Sequence, residues 1–371
     1  MTAQASIVAA LLAAVLFGAS TPFAKLLVSQ VAPIWLAGLL YLGSGLGLWV
    51  MRLLRDRGLA PTRLGTHEWP WLLAAIGSGG VLGPLLLMYG LTRTSASSAS
   101  LLLNLEAVST ALLAWLVFGE NTDRRVVFGM GLIVAGGALL AWSPAAIAPG
   151  AVRGALAIAA AALCWGLDNN LTRKVAASDA LFIAASKGLV AGITNCALAL
   201  ILGASLPPPA LVLAAMTLGL LGYGVSLVLF VLALRGLGSA RTSAYFSTAP
   251  FLGAAVAVLV LHDPAPGVFW LSALLMALGL WLHLSERHEH EHDHPALAHA
   301  HVHVHDAHHR HQHDFPWDGS EPHSHQHQHA PLLHRHRHYP DVHHRHSHRH
   351  DAGSAPLAHG AYHEDHADER E

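Results

Sequence analysis

Charge is scarce in this chain: 21 Lys+Arg and 23 Asp+Glu make up 12% of 371 residues, while 53% are hydrophobic. So few charges cannot coat a water-soluble globule of this size, which excludes a soluble domain in favour of a membrane protein. Cysteine is scarcer still. Cys164 and Cys196 are the only two, both inside apolar runs, where a thiol acts as a small buried hydrophobe rather than half of a disulfide. No G-x-S-x-G, paired catalytic aspartates or P-loop stands within the apolar runs, so an enzyme is set aside. No basic stretch precedes the first run, so it reads as an uncleaved span rather than a signal peptide.

What is present divides at Glu286. Before it lie 14 of the 21 basic residues and 8 of the 23 acidic ones, so the body is basic and the tail acidic. The body supplies ten apolar runs near the roughly 20 residues that a helix needs to cross a bilayer. They are Ser6 to Val28, Pro33 to Met51, Trp69 to Leu91, Ser95 to Gly119 and Val126 to Trp142, then Gly154 to Thr172, Asp179 to Gly203, Ala210 to Leu234, Gly238 to Leu261 and Val268 to Leu284.

Orientation follows from basic loops, which stay on the cytoplasmic side. With both termini cytoplasmic, Arg52, Arg55, Arg57, Arg63, Arg124, Arg125, Arg173, Lys174, Arg235 and Arg241 lie inside, against Arg93 and Arg153 outside. The expected location is a bacterial-type plasma (inner) membrane, crossed many times.

The runs also repeat. Phe17-Gly18 followed by Lys25 matches Trp165-Gly166 followed by Arg173 and Lys174. Leu91 to Glu120 lies over Leu234 to Asp263 without a gap, and Gly136 falls opposite Gly279 at the same offset. An odd number of spans per copy turns the second copy upside down. The fold expected is therefore an all-α membrane protein: a five-helix repeat over 1–143, an inverted second repeat over 150–285, and a disordered His-rich cytoplasmic tail over 286–371. Gly43 and Gly47 have the small-xxx-small spacing of close helix packing.

The stretches LFGASTPFAK (Leu16 to Lys25), CWGLDNNLTRK (Cys164 to Lys174) and NLEAVSTALLAWLVFGE ending at Glu120, in that order, resemble the drug/metabolite transporter superfamily, specifically the EamA-type proteins of two five-helix repeats. The resemblance covers Met1 to about Ser285. It implies export or exchange of small metabolites through a central cavity by alternating access, and names no substrate. The family's proline after the fourth-span Glu is missing, since Ala107 follows Glu106, while Pro250 stands in the ninth span. That puts a kink in the fourth span in question.

An ionisable group at mid-membrane is a functional candidate by default. Glu106 and Lys187 both fall near the midplane, where they are expected to face one another, Glu106 as proton or cation acceptor and Lys187 as its partner or an anion anchor. A purely structural ion pair is the plainer alternative. Asp168, Asn169 and Asn170 form a polar cluster that either binds a polar substrate or glues helices. Asn104 and Trp165 are further cavity-lining candidates. Lys25 is expected to snorkel to the headgroups, and Glu120 and Asp263 to cap or pair at the interfaces.

The tail holds 27 of the 30 histidines. Alternating rings such as His288, His290, His292, His294, His301, His303 and His305 suit zinc, nickel, cobalt or copper, and the H-E-x-x-H spacing there lacks the ordered helix a zinc protease needs. The plainer alternative is a solvated tail that gains charge at acid pH. No cofactor is required. The function expected is a secondary transporter of small metabolites, an exporter, with a metal-binding or metal-sensing tail. A divalent transition-metal transporter that uses the tail as a buffer is the alternative, weakened because His67, His262 and His283, the only body histidines, sit near span ends or in loops. The partners expected are the lipid bilayer, a small-molecule substrate, divalent metal at the tail and, if the chain is not monomeric, a second copy in a homodimer. Nucleic acid is not among them.

Overall fold

The computed structural model describes residues 3–58, 64–117, 119, 123–142, 150–175 and 178–285, and four short tail segments. Among the described residues ten helices are long and apolar enough to cross a membrane: α1 (Gln4–Val28), α2 (Pro33–Asp56), α3 (Trp69–Leu91), α4 (Ala96–Leu116), α5 (Arg124–Ala141), α6 (Ala151–Val175), α7 (Ala180–Ile201), α8 (Pro209–Leu234), α9 (Arg241–Leu259) and α10 (Gly267–Leu284). Local chemistry sets several ends. Prolines open α2 and α8 within the first helical turn, where a missing N–H removes no bond. Asp123 and Asp179 cap α5 and α7 by accepting from the Arg125 and Leu181 amides.

Packing across the halves follows a twofold exchange. Helix α2 packs on α7 and α5 on α10, each against its own counterpart; α1 packs on α8 and α9, and α6 correspondingly on α3 and α4. This is the pattern two inverted copies produce. Contact is closest where glycine removes the side chain. A Cβ on Gly129 would stand 2.6 Å from the Gly279 carbonyl oxygen of α10, and one on Gly279 would stand 2.5 Å from that of Gly129. Backbones this near gain dispersion contact that lipid cannot supply. Gly43 meets the Met216 backbone of α8 in the same way.

Four helices are irregular inside, in two matched pairs. In α3 and α8 a π-helical stretch, Ile76–Leu82 and Leu220–Val225, widens the helix at equivalent places of the two copies. Helices α4 and α9 each break near the middle, into Ala96–Leu102 and Leu105–Leu116, and into Ser239–Phe246 and Ala249–Leu259. Pro250 explains the second break. The first corrects the doubt raised by the absent proline. The buried Asn104 donates its side-chain amide to the Leu101 carbonyl at 2.8 Å, competing with the helical ladder. The neighbouring amides of Glu106 and Ala107 reach back only three residues, to Leu103 and Asn104.

Within the tail, β1 (His288–His294) pairs antiparallel with β4 (Leu332–His338), and β2 (Leu297–His303) with β3 (His323–His329). The alternation of histidine matches the two-residue period of a strand. His305 lies outside the described residues, as does everything from 339 on.

Candidate functional site

The break in α4 places Glu106 in the first turn of a half-helix that starts near mid-membrane. The N-terminal end of a helix carries partial positive charge, which favours a carboxylate there, although the Glu106 and Ala107 amides themselves bond back to Leu103 and Asn104. Glu106 Oε1 accepts from Asn169 Nδ2 of α6 at 3.0 Å, and the same amide reaches Thr110 Oγ1 at 3.2 Å.

Asn169 is exposed although it lies inside a span. It does not face lipid. Leu156, Leu163 and Leu167 mark the lipid face of α6, with exposures of 63%, 50% and 37%, and at roughly 100° per residue Asn169 lies about 140° round the helix from them. Its opening is therefore internal. Asn170, the next residue, is buried and donates to the Thr110 carbonyl at 3.0 Å and the Gly166 carbonyl at 2.8 Å. It glues α6 to α4.

A second polar group lies on the opposite flank of α6. Lys187 Nζ of α7 stands 2.5 Å and 2.7 Å from the two Asp168 oxygens, and Thr172 Oγ1 joins both, donating to Asp168 at 2.9 Å and accepting from Lys187 at 3.2 Å. The sequence expectation paired Lys187 with Glu106; the structure pairs it with Asp168. The cause is rotational phase, since Asp168 looks toward α7 while its neighbour Asn169 looks toward α4.

Lys187 and Thr172 open on a cavity of about 310 Å³ that is also lined by Tyr41, Ser44, Gly188 and Tyr223. The Tyr41 and Tyr223 rings lie 5.7 Å apart. Tyr41 OH and Trp165 Nε1 both donate to the Gly79 carbonyl in the π-helical stretch of α3, at 2.9 Å and 2.8 Å. Asn195 Nδ2 approaches the next carbonyl, Gly80, at 3.3 Å. Trp165 thus helps fix the widened turn beside the cavity. Asn104 is buried and bonded within its own helix, so it shapes the site rather than lining it. Sequence reasoning missed Tyr41, Thr110, Thr172 and Tyr223; hydroxyl groups inside apolar runs were the available signal.

The cavity lies toward the end of the bundle that carries Arg52, Arg55 and Asp179. There Arg55 Nη2 meets Asp179 Oδ2 at 2.5 Å, and Arg52 lies 3.4 Å from the same oxygen, with its guanidinium 5.1 Å from the Phe182 ring centre. Burial opposes ionisation of Asp179, but hydrogen bonds from Arg55, the Leu181 amide and Arg52 outweigh it and hold the carboxyl below its usual range.

At the other end, Lys25 Nζ donates to the Leu91 carbonyl at the end of α3. It does not snorkel, because an unpaired helix-end carbonyl is within reach. Asp263 Oδ2 accepts from the Ser97 amide, capping α4 from the far repeat. Glu120 lies outside the described residues. Among the described residues no group of three or more His, Cys, Asp or Glu could hold a metal ion.

Residues 4–142 and 152–285 each match the EamA-like transporter family. The chain belongs to that family. This EamA-family protein is accordingly a multi-pass membrane transporter. It is 27% identical over 285 residues to an uncharacterized transporter of Methanothermobacter thermautotrophicus, covering 73% of this chain and 83% of that one. It is 47% identical over 73 residues to the probable 4-amino-4-deoxy-L-arabinose-phosphoundecaprenol flippase subunit ArnE of Pseudomonas aeruginosa, a match of 19% of this chain and 60% of that one. A crystal structure sharing 22% identity superposes with a TM-score of 0.56 over 74% of this chain and 94% of its own, a likeness of fold.

Proposed function

We propose that the protein is a secondary transporter that exports small polar metabolites, with Glu106 as the group that takes up and releases the coupling proton. The observation that carries this is the placement of Glu106 at the start of a half-helix, hydrogen-bonded to an internally exposed Asn169. Discontinuous helices whose half-helix ends point at a mid-membrane site are a recurring way to bind substrate and ion in transporters. The Asp168–Lys187 pair supplies both signs of charge beside the cavity, so a substrate bearing an anionic and a cationic group can divide it.

In this reading both termini are cytoplasmic, the membrane is a bacterial-type plasma membrane, and the tail histidines, His288, His290, His292, His294, His301, His303 and His305 among them, collect divalent metal and report it to the bundle. The domain limits are 1–143, 150–285 and 286–371. The alternative, passage of the metal itself, lacks a supporting ligand cluster among the described residues.

The test is flux in proteoliposomes loaded with amino acids or with zinc, nickel or cobalt. It compares the full chain, Glu106→Gln, and the chain ended after Ser285. Metabolite flux that persists without the tail and fails in Glu106→Gln supports the proposal. Metal flux that disappears with the tail refutes it.

A further inference from the structure

A second concave site lies away from the central cavity. Between the end of α4 and the start of α5 runs a groove of about 520 Å³ lined by Trp115, Arg124, Val127, Phe128, Gly131 and Leu132. Its walls are apolar and open to the membrane: Trp115, Val127 and Phe128 are 38%, 39% and 64% exposed. Gly131 leaves its floor empty, since a Cβ there would meet nothing within 4 Å. At about 1.5 Å per residue the groove descends roughly 12 Å from Arg124 to Leu132, about two-fifths of a hydrocarbon core.

Arg124 closes the headgroup end, with Arg125 beside it, both exposed. Neither forms an ion pair among the described residues. The acidic neighbour, Asp123, turns its carboxylate to the Arg125 amide at 3.4 Å as the cap of α5. Fixed positive charge over a greasy slot, with an indole at the wall, has the complementarity of a lipid bearing a net negative phosphate headgroup.

Helix packing alone does not require this arrangement, although the inward bias of basic residues already favours arginines at this face. In the register that lays Leu91 to Glu120 over Leu234 to Asp263, Arg124 and Arg125 fall on Gly267 and Val268, and Trp115 on Val258. The corresponding junction of the inverted copy, at the other face of the membrane, carries no charge at those positions.

We infer that this groove is a binding site for one anionic phospholipid, its phosphate on Arg124 and Arg125 and an acyl chain along Trp115, Phe128 and Leu132.

The test uses lipids brominated on the acyl chain, which quench nearby tryptophans. The Trp115 signal is taken as the difference between the native protein and Trp115→Phe, both monodisperse in detergent. Brominated phosphatidylglycerol should quench that signal at a lower concentration than brominated phosphatidylcholine, by about fivefold for each arginine engaged. Arg124→Gln with Arg125→Gln should erase the headgroup preference, and Gly131→Leu should weaken quenching by both lipids. Inorganic phosphate should not displace the lipid. Equal quenching by the two headgroups, or a preference that survives the double arginine variant, would mean ordinary boundary lipid and overturn the inference. Displacement by free phosphate would overturn it in favour of a soluble anion.

Discussion

Asp263 accepts a hydrogen bond from the amide of Ser97, a residue 166 positions earlier, at 2.9 Å. The bond ties the end of α9 in the second repeat to the start of α4 in the first. With Lys25 on the Leu91 carbonyl, one end of the bundle is fastened across four helices. The cavity lies toward the opposite end, so in the proposed alternating-access reading this fastened end is the closed one.

Weakening that fastening should shift the carrier toward the opposite state. A helix cap contributes about 1 kcal/mol, or a fivefold change in population. Asp263→Asn should therefore raise the labelling rate of a cysteine introduced at Ser95 by an impermeant thiol reagent by about that factor, in a background lacking Cys164 and Cys196. An unchanged rate would show that the cap does not hold the closed side.

Replacing Lys187 alone leaves the Asp168 carboxylate buried beside it without its cation. Removing one member of a buried pair costs about 3–5 kcal/mol. Lys187→Met should lower the thermal midpoint clearly, and Asp168→Asn with Lys187→Met should recover most of the loss. Parallel transport assays separate stability from function, since the double variant is expected to fold and not to transport.

Glu106→Gln keeps an oxygen for Asn169 to donate to, so the break in α4 should persist. Flux should fall at least tenfold, and what remains should lose its dependence on pH. A variant that keeps the native pH profile would assign the coupling proton elsewhere.

The Asp179 carboxyl is held low by Arg55, the Leu181 amide and Arg52 against the effect of its burial. A folded pKa below the unfolded one contributes stability that is complete above the unfolded value and disappears as pH falls through the folded one. The thermal midpoints of the native protein and Asp179→Asn should thus differ at neutral pH and converge below about pH 4. A gap that does not change with pH would assign the effect to packing.

The ten spans were legible because hydrocarbon imposes a length and an apolar composition that nothing else in the chain mimics. Trp69 to Leu91 coincides at both ends with the helix found. The twin copies were legible for a related reason: Leu91 to Glu120 over Leu234 to Asp263 preserves spacing, and spacing is what a helix needs. Side-chain partners were not. Adjacent residues such as Asp168 and Asn169 point about 100° apart, and hydropathy does not say which neighbour each meets. Nor does it mark a break formed by one asparagine amide at Asn104, or a stretch where glycines let the ladder widen, as at Ile76 to Leu82.

The two widened stretches also join the copies to one another. A π turn is an α-helix that has taken in one more residue than its ladder can hold. Ile76–Leu82 and Leu220–Val225 occupy matching places in the two copies. Ile76–Leu82 packs on α6 and α7, and Leu220–Val225 on α1 and α2, so each widened turn is seated against the first two helices of the other copy.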